Sequence, residues 1–454
     1  MSTQQADLLV AWYGDDFTGS AAVLEVLAFA GVPAMLFLDV PTEAQLARYP
    51  YLQAIGIAST ARAQSPDWMD NNLPSVFRSA LALKPRLFHY KICSTLDSSP
   101  TTGSIGRAIE IAADLIDVEA VPVMVAAPAM RRYQMFGHLF AGLGPDVFRL
   151  DRHPVMTRHP VTPMKESDVA LHLAAQSQRL DSALWSLEDI AGDRPPVLVR
   201  QADRISVLSI DCIDERSEAA AGRLLWENQI KNRFVVGSQG VEYALVRHWV
   251  ETGVLPEQSP PEGAGRSHGM VTVSGSVSPT TAEQIRWSRA NGFAAIRFDV
   301  MQACGNDSEL ENEIERVVSE SLSALAGNAD PLIYTAEGPD DPVVAHLTDT
   351  VAAAGSEMPF INEKIGIALG KVLHRILTQS HVRRAVVSGG DTSGHVTRQL
   401  DIFALSALAP TIAGASLSKV HAEGAFDGLE LALKGGQMGS PDYFGWIRDG
   451  GGAR

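Results

Sequence analysis

Two adjacent carboxylates stand at the end of an apolar run near the start of the sequence. The run "VAWYG" is followed by Asp15 and Asp16, and then by Thr18 and the helix-like stretch "AAVLEVLAFAG". Burial makes an ionised carboxylate unfavourable, so this placement requires a reason. Three chemical reasons compete: a metal site, a covalent carboxylate nucleophile, or carboxylates that bind or deprotonate a hydroxylated substrate. The structural alternative is that Asp16 caps the following helix.

The spacing of the two aspartates narrows this choice. A phosphatase-type nucleophile has the pattern DxDxT, whereas Asp15 and Asp16 are adjacent. No cluster of His or Cys stands beside them, so a separate metal site is not favoured. Adjacent residues of an extended segment point to opposite sides, so we expect one of the two to face a substrate, and we favour Asp16.

Polar groups also follow two further strand-like runs. Arg62 comes just after "YLQAIGIAS" and could clamp a carboxylate, although an ordinary surface arginine is the alternative. At and after the end of "RLFHYKI" one cation, one carboxylate and several hydroxyls suit a small polyhydroxy acid, unless the segment is simply a polar loop. These residues are Lys91, Ser94, Thr95, Asp97, Ser98, Ser99 and Thr102. His138, in "GHLF", is a further polar candidate, whereas His153 and His159 lack the i,i+4 spacing of a helical metal site.

Glycine-rich segments follow three strand-like runs in the second half of the chain. Glycines there let backbone N–H groups approach a phosphate at a helix N-terminus, and Asp391 could hold Mg²⁺ directly or through water. The alternative is a set of tight strand-to-helix turns with Ser and Thr caps. Strand ends of a doubly wound domain converge on one crevice, which suits the polyphosphate of a nucleotide. The candidates are Ser274, Gly275, Ser276, Gly389, Gly390, Asp391, Thr392, Gly394, Lys434, Gly435 and Gly436.

Short apolar runs alternate with helix-like patterns along the chain, including an expected helix at residues 113–120. This alternation predicts an α/β fold with two domains, each a largely parallel sheet flanked by helices. Residues 253–268 contain three prolines and three glycines, which indicates a linker between domains at 1–252 and 269–454.

The composition limits the classes of partner and compartment. The net charge of −16 argues against nucleic acid, because phosphate backbones require a basic surface. No apolar stretch approaches the ~20 residues that span a membrane, and no signal peptide is visible. Three cysteines without a CxxC pair indicate a reducing, cytoplasmic environment. A homodimer is expected only from the general frequency of such assemblies.

Together these segments resemble the four-carbon acid sugar kinase family, over nearly the whole chain. The resemblance implies an N-terminal domain that binds a sugar acid and a C-terminal domain that binds a nucleotide. It also implies ATP-dependent phosphorylation of the terminal hydroxyl of acids such as 3-oxo-tetronate, D-threonate or D-erythronate. The motifs that carry it are "GDDFTGS" (14–20), "YKICSTLDSSP" (90–100), "GHLF" (137–140), "HPVTPM" (159–164), "SGSVSPTTAEQ" (274–284), "SGGDTSG" (388–394) and "LKGGQMGSPDYF" (433–444).

The resemblance implies roles for the polar candidates. Arg62 and Lys91 would hold the substrate carboxylate with the hydroxyls of Ser94 and Thr95, and Asp16 or Asp15 would orient or deprotonate the attacking hydroxyl. ATP and Mg²⁺ would be the cofactors.

The loop after Lys91 also bears on the substrate. Cys93 and Asp97-Ser98 are more similar to the 3-oxo-tetronate kinase branch than to the threonate and erythronate branch. Two alternatives remain open: a kinase for a different short hydroxy acid, and a nucleotide- or acid-binding protein without turnover.

Overall fold

The structure is a computed structural model that describes residues 7–198, 201, 203–229, 231–259 and 261–454, apart from the side chain of Asp391. Contacts divide the chain into two compact units, Met1–Ser259 and Pro260–Arg454. The predicted fold class is confirmed, because each unit has a largely parallel sheet with flanking helices. The exact extent of the linker at 253–268 stays a prediction.

The first unit alternates strands with helices along most of its length. Its strands are β1 (Val10–Gly14), β2 (Ala34–Phe37), β3 (Ala54–Ala58), β4 (Leu87–Lys91), β5 (Val121–Met124), β6 (Arg132–Met135), β7 (His138–Leu143), β8 (Asp146–Arg149), β9 (Leu180–Trp185), β10 (Ile205–Ile210) and β11 (Phe234–Gly237). Its helices are α1 (Phe17–Phe29), α2 (Glu43–Ala47), α3 (Pro66–Ala82), α4 (Ile105–Ala113), α5 (Val169–Ala174), α6 (Leu187–Ala191), α7 (Glu215–Glu227) and α8 (Gly240–Glu251).

The main sheet of the first unit places several strand ends in one row. Its order is β2-β3-β1-β4-β11-β5-β10-β9, and the neighbouring strands pair in parallel. Gly14 is in register with Ala58 and Lys91, and Gly237 with Lys91 and Met124. The segments that follow these residues therefore emerge together at the carboxyl edge of the sheet, where open α/β sheets bind ligands.

Aromatic side chains pack behind this edge. Tyr13 and Tyr90 stack with ring centroids 6.1 Å apart, and Phe77 of α3 packs edge-on against both. Helix α3 begins with Pro66 at its first position, and its buried face follows the helical period. This packing holds the ends of β1 and β4 in place.

A small antiparallel sheet of β6, β7 and β8 was not predicted from the sequence. Its first turn is made by Phe136 and Gly137, with φ values of 50° and 80°. Such a pair of positive φ angles is typical of a tight hairpin. The motif "GHLF" therefore opens a strand of this separate sheet, and His138 is the first residue of β7.

The expectation of a helix at residues 113–120 is wrong. The helix α4 instead precedes this segment and ends at Ala113. Ser104 caps it, and Ile105, Ala108 and Ala112 lie on its buried side. The N-cap and the buried face of α4 thus determine where the helix lies, whereas apolar content alone placed it too far along the chain.

The second unit has a mixed sheet in which the five strands at one side, counted in sheet order, pair in parallel. Its strands are β12 (Val271–Ser274), β13 (Phe293–Arg297), β14 (Asp330–Tyr334), β15 (Arg384–Ser388), β16 (Ile402–Ala409), β17 (Leu417–Ala422) and β18 (Glu430–Lys434). Its helices are α9 (Pro279–Ala290), α10 (Asp307–Ala326), α11 (Pro342–Ala353), α12 (Met358–Gln379), α13 (Gly390–Gln399) and α14 (Tyr443–Arg448). The order is β13-β14-β12-β15-β18-β17-β16, and only the pairs that involve β17 are antiparallel.

No helix within the described ranges has the length and apolarity to cross a membrane.

Candidate functional site

Arg62 joins the two aspartates at the end of β1. Its Nη2 lies 2.7 Å from Oδ1 of Asp15 and 2.7 Å from Oδ1 of Asp16, and its Nε lies 3.3 Å from Oδ2 of Asp15. Both oxygens of Asp15 are thereby engaged. The expectation that the two carboxylates point to opposite sides is wrong, because the chain turns at Asp16 into α1 and both carboxylates reach one guanidinium.

Asp16 has two roles that the sequence presented as alternatives. Its Oδ1 accepts the backbone N–H of Gly19 at 2.9 Å and so caps α1, while the same oxygen accepts from Arg62. Its Oδ2 has no hydrogen-bond partner among the described residues. The side chain of Asp16 is 26% exposed, against 3% for Asp15. Asp16 therefore presents a carboxylate oxygen toward solvent, whereas Asp15 is buried behind it.

Burial and charge act against each other in this cluster. Burial raises the pKa of Asp15, and the charge of Arg62 opposes that rise. For Arg62, burial acts to lower the pKa, yet the two aspartates and Cys93 raise it well above its ordinary value. The guanidinium therefore stays charged and offsets part of the negative charge of the carboxylate pair.

Backbone contacts fix the cluster to three strands. The N–H of Asp15 donates to the carbonyl of Lys91, and the N–H of Arg62 donates to the carbonyl of Asp15, both at 2.9 Å. Gly103 packs against the backbone of Arg62 with φ +59°, and a Cβ there would collide with the Arg62 carbonyl oxygen. A side chain at position 103 would therefore displace Arg62.

Lys91 is buried at the end of β4, close to the first turn of α1. Its Nζ donates to the carbonyl of Ile92 at 2.6 Å. A Cβ on Gly19 would lie 2.7 Å from this Nζ and would collide with Oδ1 of Asp16. The absence of a side chain at Gly19 thus lets the ammonium and the carboxylate approach the same helix turn.

The loop after Lys91 forms its own polar network. The Sγ of Cys93 lies 3.0 Å from Oγ1 of Thr95, which donates to Asp97 at 2.9 Å. Burial raises the pKa of Cys93 to about 11, so this thiol is protonated at neutral pH. Ser94 is half-buried in the same loop. The network orders the predicted substrate loop, while its contact with a substrate stays a prediction.

His138 is positioned through a carboxylate that the sequence reasoning missed. Its Nδ1 lies 3.0 Å from Oγ of Ser167. Asp211, fully buried after β10, accepts the N–H groups of Phe136 at 2.7 Å and Gly137 at 2.9 Å, immediately before His138. The only local signal for Asp211 was a carboxylate at a strand end, because its partners lie about 75 residues away.

In the second unit, three strand ends lie side by side. Ser388 is in register with Ser274 on one side and with Lys434 on the other. A Cβ on Gly275 would collide with Oγ1 of Thr392, and a Cβ on Gly389 would lie 2.8 Å from it. Gly389 has φ +126°, a conformation that residues with a Cβ avoid. The predicted glycine segments are thus brought together around Thr392.

Hydroxyl groups hold the third glycine segment against the first. Ser278 donates to the carbonyl of Gly436, and Thr281 donates to the same carbonyl at 3.0 Å. A Cβ on Gly436 would collide with Oγ of Ser276, which also accepts from Thr281 at 3.0 Å. Ser278 and Thr281 were not among the predicted site residues. Ser278 is the N-cap of α9 and Thr281 lies in its first turn, both within the motif "SVSPTTAEQ".

Lys434 is buried rather than displayed at the surface. Its Nζ donates to the carbonyl of Gly435 at 3.1 Å and lies 5.8 Å from the ring centroid of Phe444. Burial lowers its pKa to about 7. A phosphate within reach would favour the charged form. Its contact with a nucleotide stays a prediction.

The remaining candidates lie on α13. Gly390 is its first residue, and a Cβ on Gly390 or Gly394 would meet open space. The side chain of Asp391 lies outside the described residues, so its predicted metal role is untested. Among the residues that are described, no group of three or more His, Cys, Asp or Glu is placed to hold a metal ion.

Comparisons with known proteins agree with this division into two sites. A family model for a sugar-binding N-terminal domain matches residues 10–245, and one for a nucleotide-binding C-terminal domain matches residues 271–444. The fold and its two sites therefore define a two-domain enzyme that binds a sugar-type ligand in one unit and a nucleotide in the other.

Similarity to individual proteins defines the family. The chain is 44% identical over 448 residues to a 3-oxo-isoapionate kinase of Paraburkholderia graminis, covering 98% of this chain and 95% of that protein. It is 26% identical to a 3-oxo-tetronate kinase of Pseudomonas savastanoi pv. phaseolicola, covering 98% and 97%. The chain belongs to the four-carbon acid sugar kinase family and is a sugar-acid kinase.

A solved structure supports the fold. A Salmonella typhimurium LT2 protein whose structure is described as that of a tRNA synthase has a TM-score of 0.76 and 23% identity, with 97% of this chain and 98% of that chain covered. At this identity the likeness concerns the fold alone.

We expect the substitution Gly389→Ala to weaken nucleotide binding by about tenfold or more, because the strain of a Cβ in this backbone conformation is about 1–3 kcal/mol. Titration calorimetry with a non-hydrolysable ATP analogue measures the effect. Gly424→Ala is the matched control, since a Cβ there meets open space and no positive φ is required. Equal affinity of Gly389→Ala and the unsubstituted protein would contradict the placement of the nucleotide site.

Proposed function

We propose that the protein transfers the γ-phosphoryl group of ATP to the terminal hydroxyl of a short 3-oxo sugar acid, with Asp16 as the general base. The observation that carries this proposal is Oδ2 of Asp16, which has no partner among the described residues and lies beside a guanidinium that contacts both aspartates. An exposed carboxylate oxygen at a sheet edge can accept a hydroxyl proton. Asp15 is less suited, because Arg62 engages both of its oxygens.

The relatives support the 3-oxo class of acid and favour one member of it. Both relatives named above act on 3-oxo acids, and the relative with 44% identity acts on 3-oxo-isoapionate. The 3-oxo-tetronate kinases reach 25–28% identity. We therefore propose 3-oxo-isoapionate as the preferred substrate and 3-oxo-tetronate as a weaker one. This choice is the alternative, left open by the sequence, of a kinase for a different short hydroxy acid.

The second unit suits the polyphosphate of ATP. The absence of side chains at Gly275 and Gly389 lets Thr392 pack against both strand ends, and a Cβ on Gly390 or Gly394 would meet open space. Oγ of Ser388 is buried without a hydrogen-bond partner among the described residues. Backbone N–H groups at the start of α13 add a partial positive charge. We propose Asp391 as the carboxylate that holds Mg²⁺, which would neutralise phosphate charge when bound.

The proposed transfer needs one proton acceptor in the first unit. The proton of the substrate hydroxyl moves to Oδ2 of Asp16, while the hydroxyl oxygen forms a bond to the γ-phosphorus. The bond between that phosphorus and the oxygen of ADP breaks. Asp15 and Arg62 keep Asp16 in place during this exchange.

An ADP-release assay with a panel of short sugar acids tests the function. We expect turnover with 3-oxo-isoapionate, a lower kcat/KM with 3-oxo-tetronate, and less still with D-threonate and D-erythronate. Nucleotide binding without ADP release on any acid would support a binding protein without turnover. A preference for threonate or erythronate would contradict the 3-oxo assignment.

The substitution Asp16→Asn is expected to lower kcat by at least ~10²-fold, given typical contributions of a general base. Asparagine still caps a helix, so α1 is retained and the change isolates the carboxylate. Asp214→Asn is the control, because Asp214 caps α7 by accepting from Ser217 and does not bind Arg62. Unchanged turnover in both Asp15→Asn and Asp16→Asn would refute the role of the aspartate pair.

A further inference from the structure

Arg132 lies near the carboxyl edge of the first sheet, on a segment whose position was not predicted from the sequence. The chain leaves β5 at Met124 and turns back, so that Ala127 and Arg132 exchange backbone hydrogen bonds at 3.0 and 3.2 Å. Met124 is in register with Gly237, which is in register with Lys91. Arg132 therefore stands close to the strand ends that carry the substrate loop.

The guanidinium of Arg132 is largely buried yet lacks an anionic partner. Its Nη1 donates to the carbonyls of Met130 at 3.2 Å and Arg131 at 3.3 Å, with Gly142 more distant at 3.5 Å. Its Nε is buried without a hydrogen-bond partner in the described ranges. No carboxylate of the described residues lies within ion-pair distance of it. A buried charge without a partner is unfavourable, so the site is built for an anion that is supplied from outside.

The geometry leaves one particular edge of this side chain without a partner among the described residues. The carbonyl contacts hold Nη1, whereas Nε and Nη2 have no partner within the described part of the chain. These two nitrogens form the edge that binds a carboxylate bidentately. Arg62 differs, because its corresponding Nε and Nη2 atoms are already occupied by Asp15.

Electrostatics place Arg132 beside the substrate loop. Burial lowers its pKa, while the charge of Asp97 acts in the opposite direction. The pKa of Cys93 is in turn influenced by Arg62. Arg132 and Arg62 therefore both lie near the Cys93 loop, one with an unsatisfied positive charge and the other neutralised by two aspartates.

We propose that Arg132 binds the carboxylate of the sugar acid through its Nε and Nη2 atoms, whereas Arg62 serves to hold Asp15 and Asp16. This inference rests on the proposed function, since it concerns the same acid. It replaces the sequence-based role of Arg62 as the carboxylate clamp. Arg132 is thus a substrate-binding residue that selects acids over uncharged sugars of the same shape.

Titration calorimetry with 3-oxo-isoapionate and with its carboxamide tests this assignment without requiring turnover. For Arg132→Met we expect the Kd of the acid to rise about 10- to 100-fold, as for the loss of a charged hydrogen-bonded pair. The Kd of the uncharged carboxamide should be the same in both proteins. In steady-state assays the KM for the acid should rise while the KM for ATP is unchanged, and Arg132→Lys should recover part of the affinity.

The control is Arg149→Met on the same small sheet. Arg149 is held by Asp151 through contacts of 2.6 and 2.7 Å, so its loss should leave the acid affinity unchanged. An unaltered Kd of the acid in Arg132→Met would overturn the inference, as would an equal loss for acid and carboxamide. If the unsubstituted protein binds the acid through Arg132 but releases no ADP, the proposed function fails and this inference stands.

Discussion

The ion cluster of Asp15, Arg62 and Asp16 is the constraint on which the first unit depends. Asp15 is almost fully buried, and leaving such a carboxylate without its cation costs about 3–5 kcal/mol. The backbone around the cluster links the ends of β1 and β4 and the segment after β3. The position of Asp16, with one oxygen bound and the other available, follows from this arrangement.

The two units solve the problem of anion binding by different physical means. The first unit uses side-chain charge, with Arg62 neutralised internally and Arg132 left for an incoming carboxylate. The second unit uses backbone and hydroxyl groups at its strand ends, where Thr392 packs against Gly275 and Gly389. Both kinds of group act on an anion over a short distance. An anion can therefore bind to them although the net charge of the protein is −16.

Features that depend on neighbouring residues could be predicted from the sequence, and features that depend on distant contacts could not. The strand-end positions of Asp15, Lys91 and Gly389 follow from apolar runs that end in polar or glycine residues. Asp211 accepts a hydrogen bond from a turn about 75 residues away. Arg132 lies on a short antiparallel strand whose pairing could not be predicted from a local sequence pattern. The opposed directions expected for the aspartates were wrong because the chain turns between them into a helix.

A structure of the protein with a sugar acid and a non-hydrolysable ATP analogue bound tests the central claim most directly. The account predicts the carboxylate of the acid on Nε and Nη2 of Arg132 and its terminal hydroxyl on Oδ2 of Asp16. The contact between Arg62 and Asp15 should remain near 2.7 Å. A carboxylate bound to Arg62, with Asp15 and Asp16 released from it, would contradict the account.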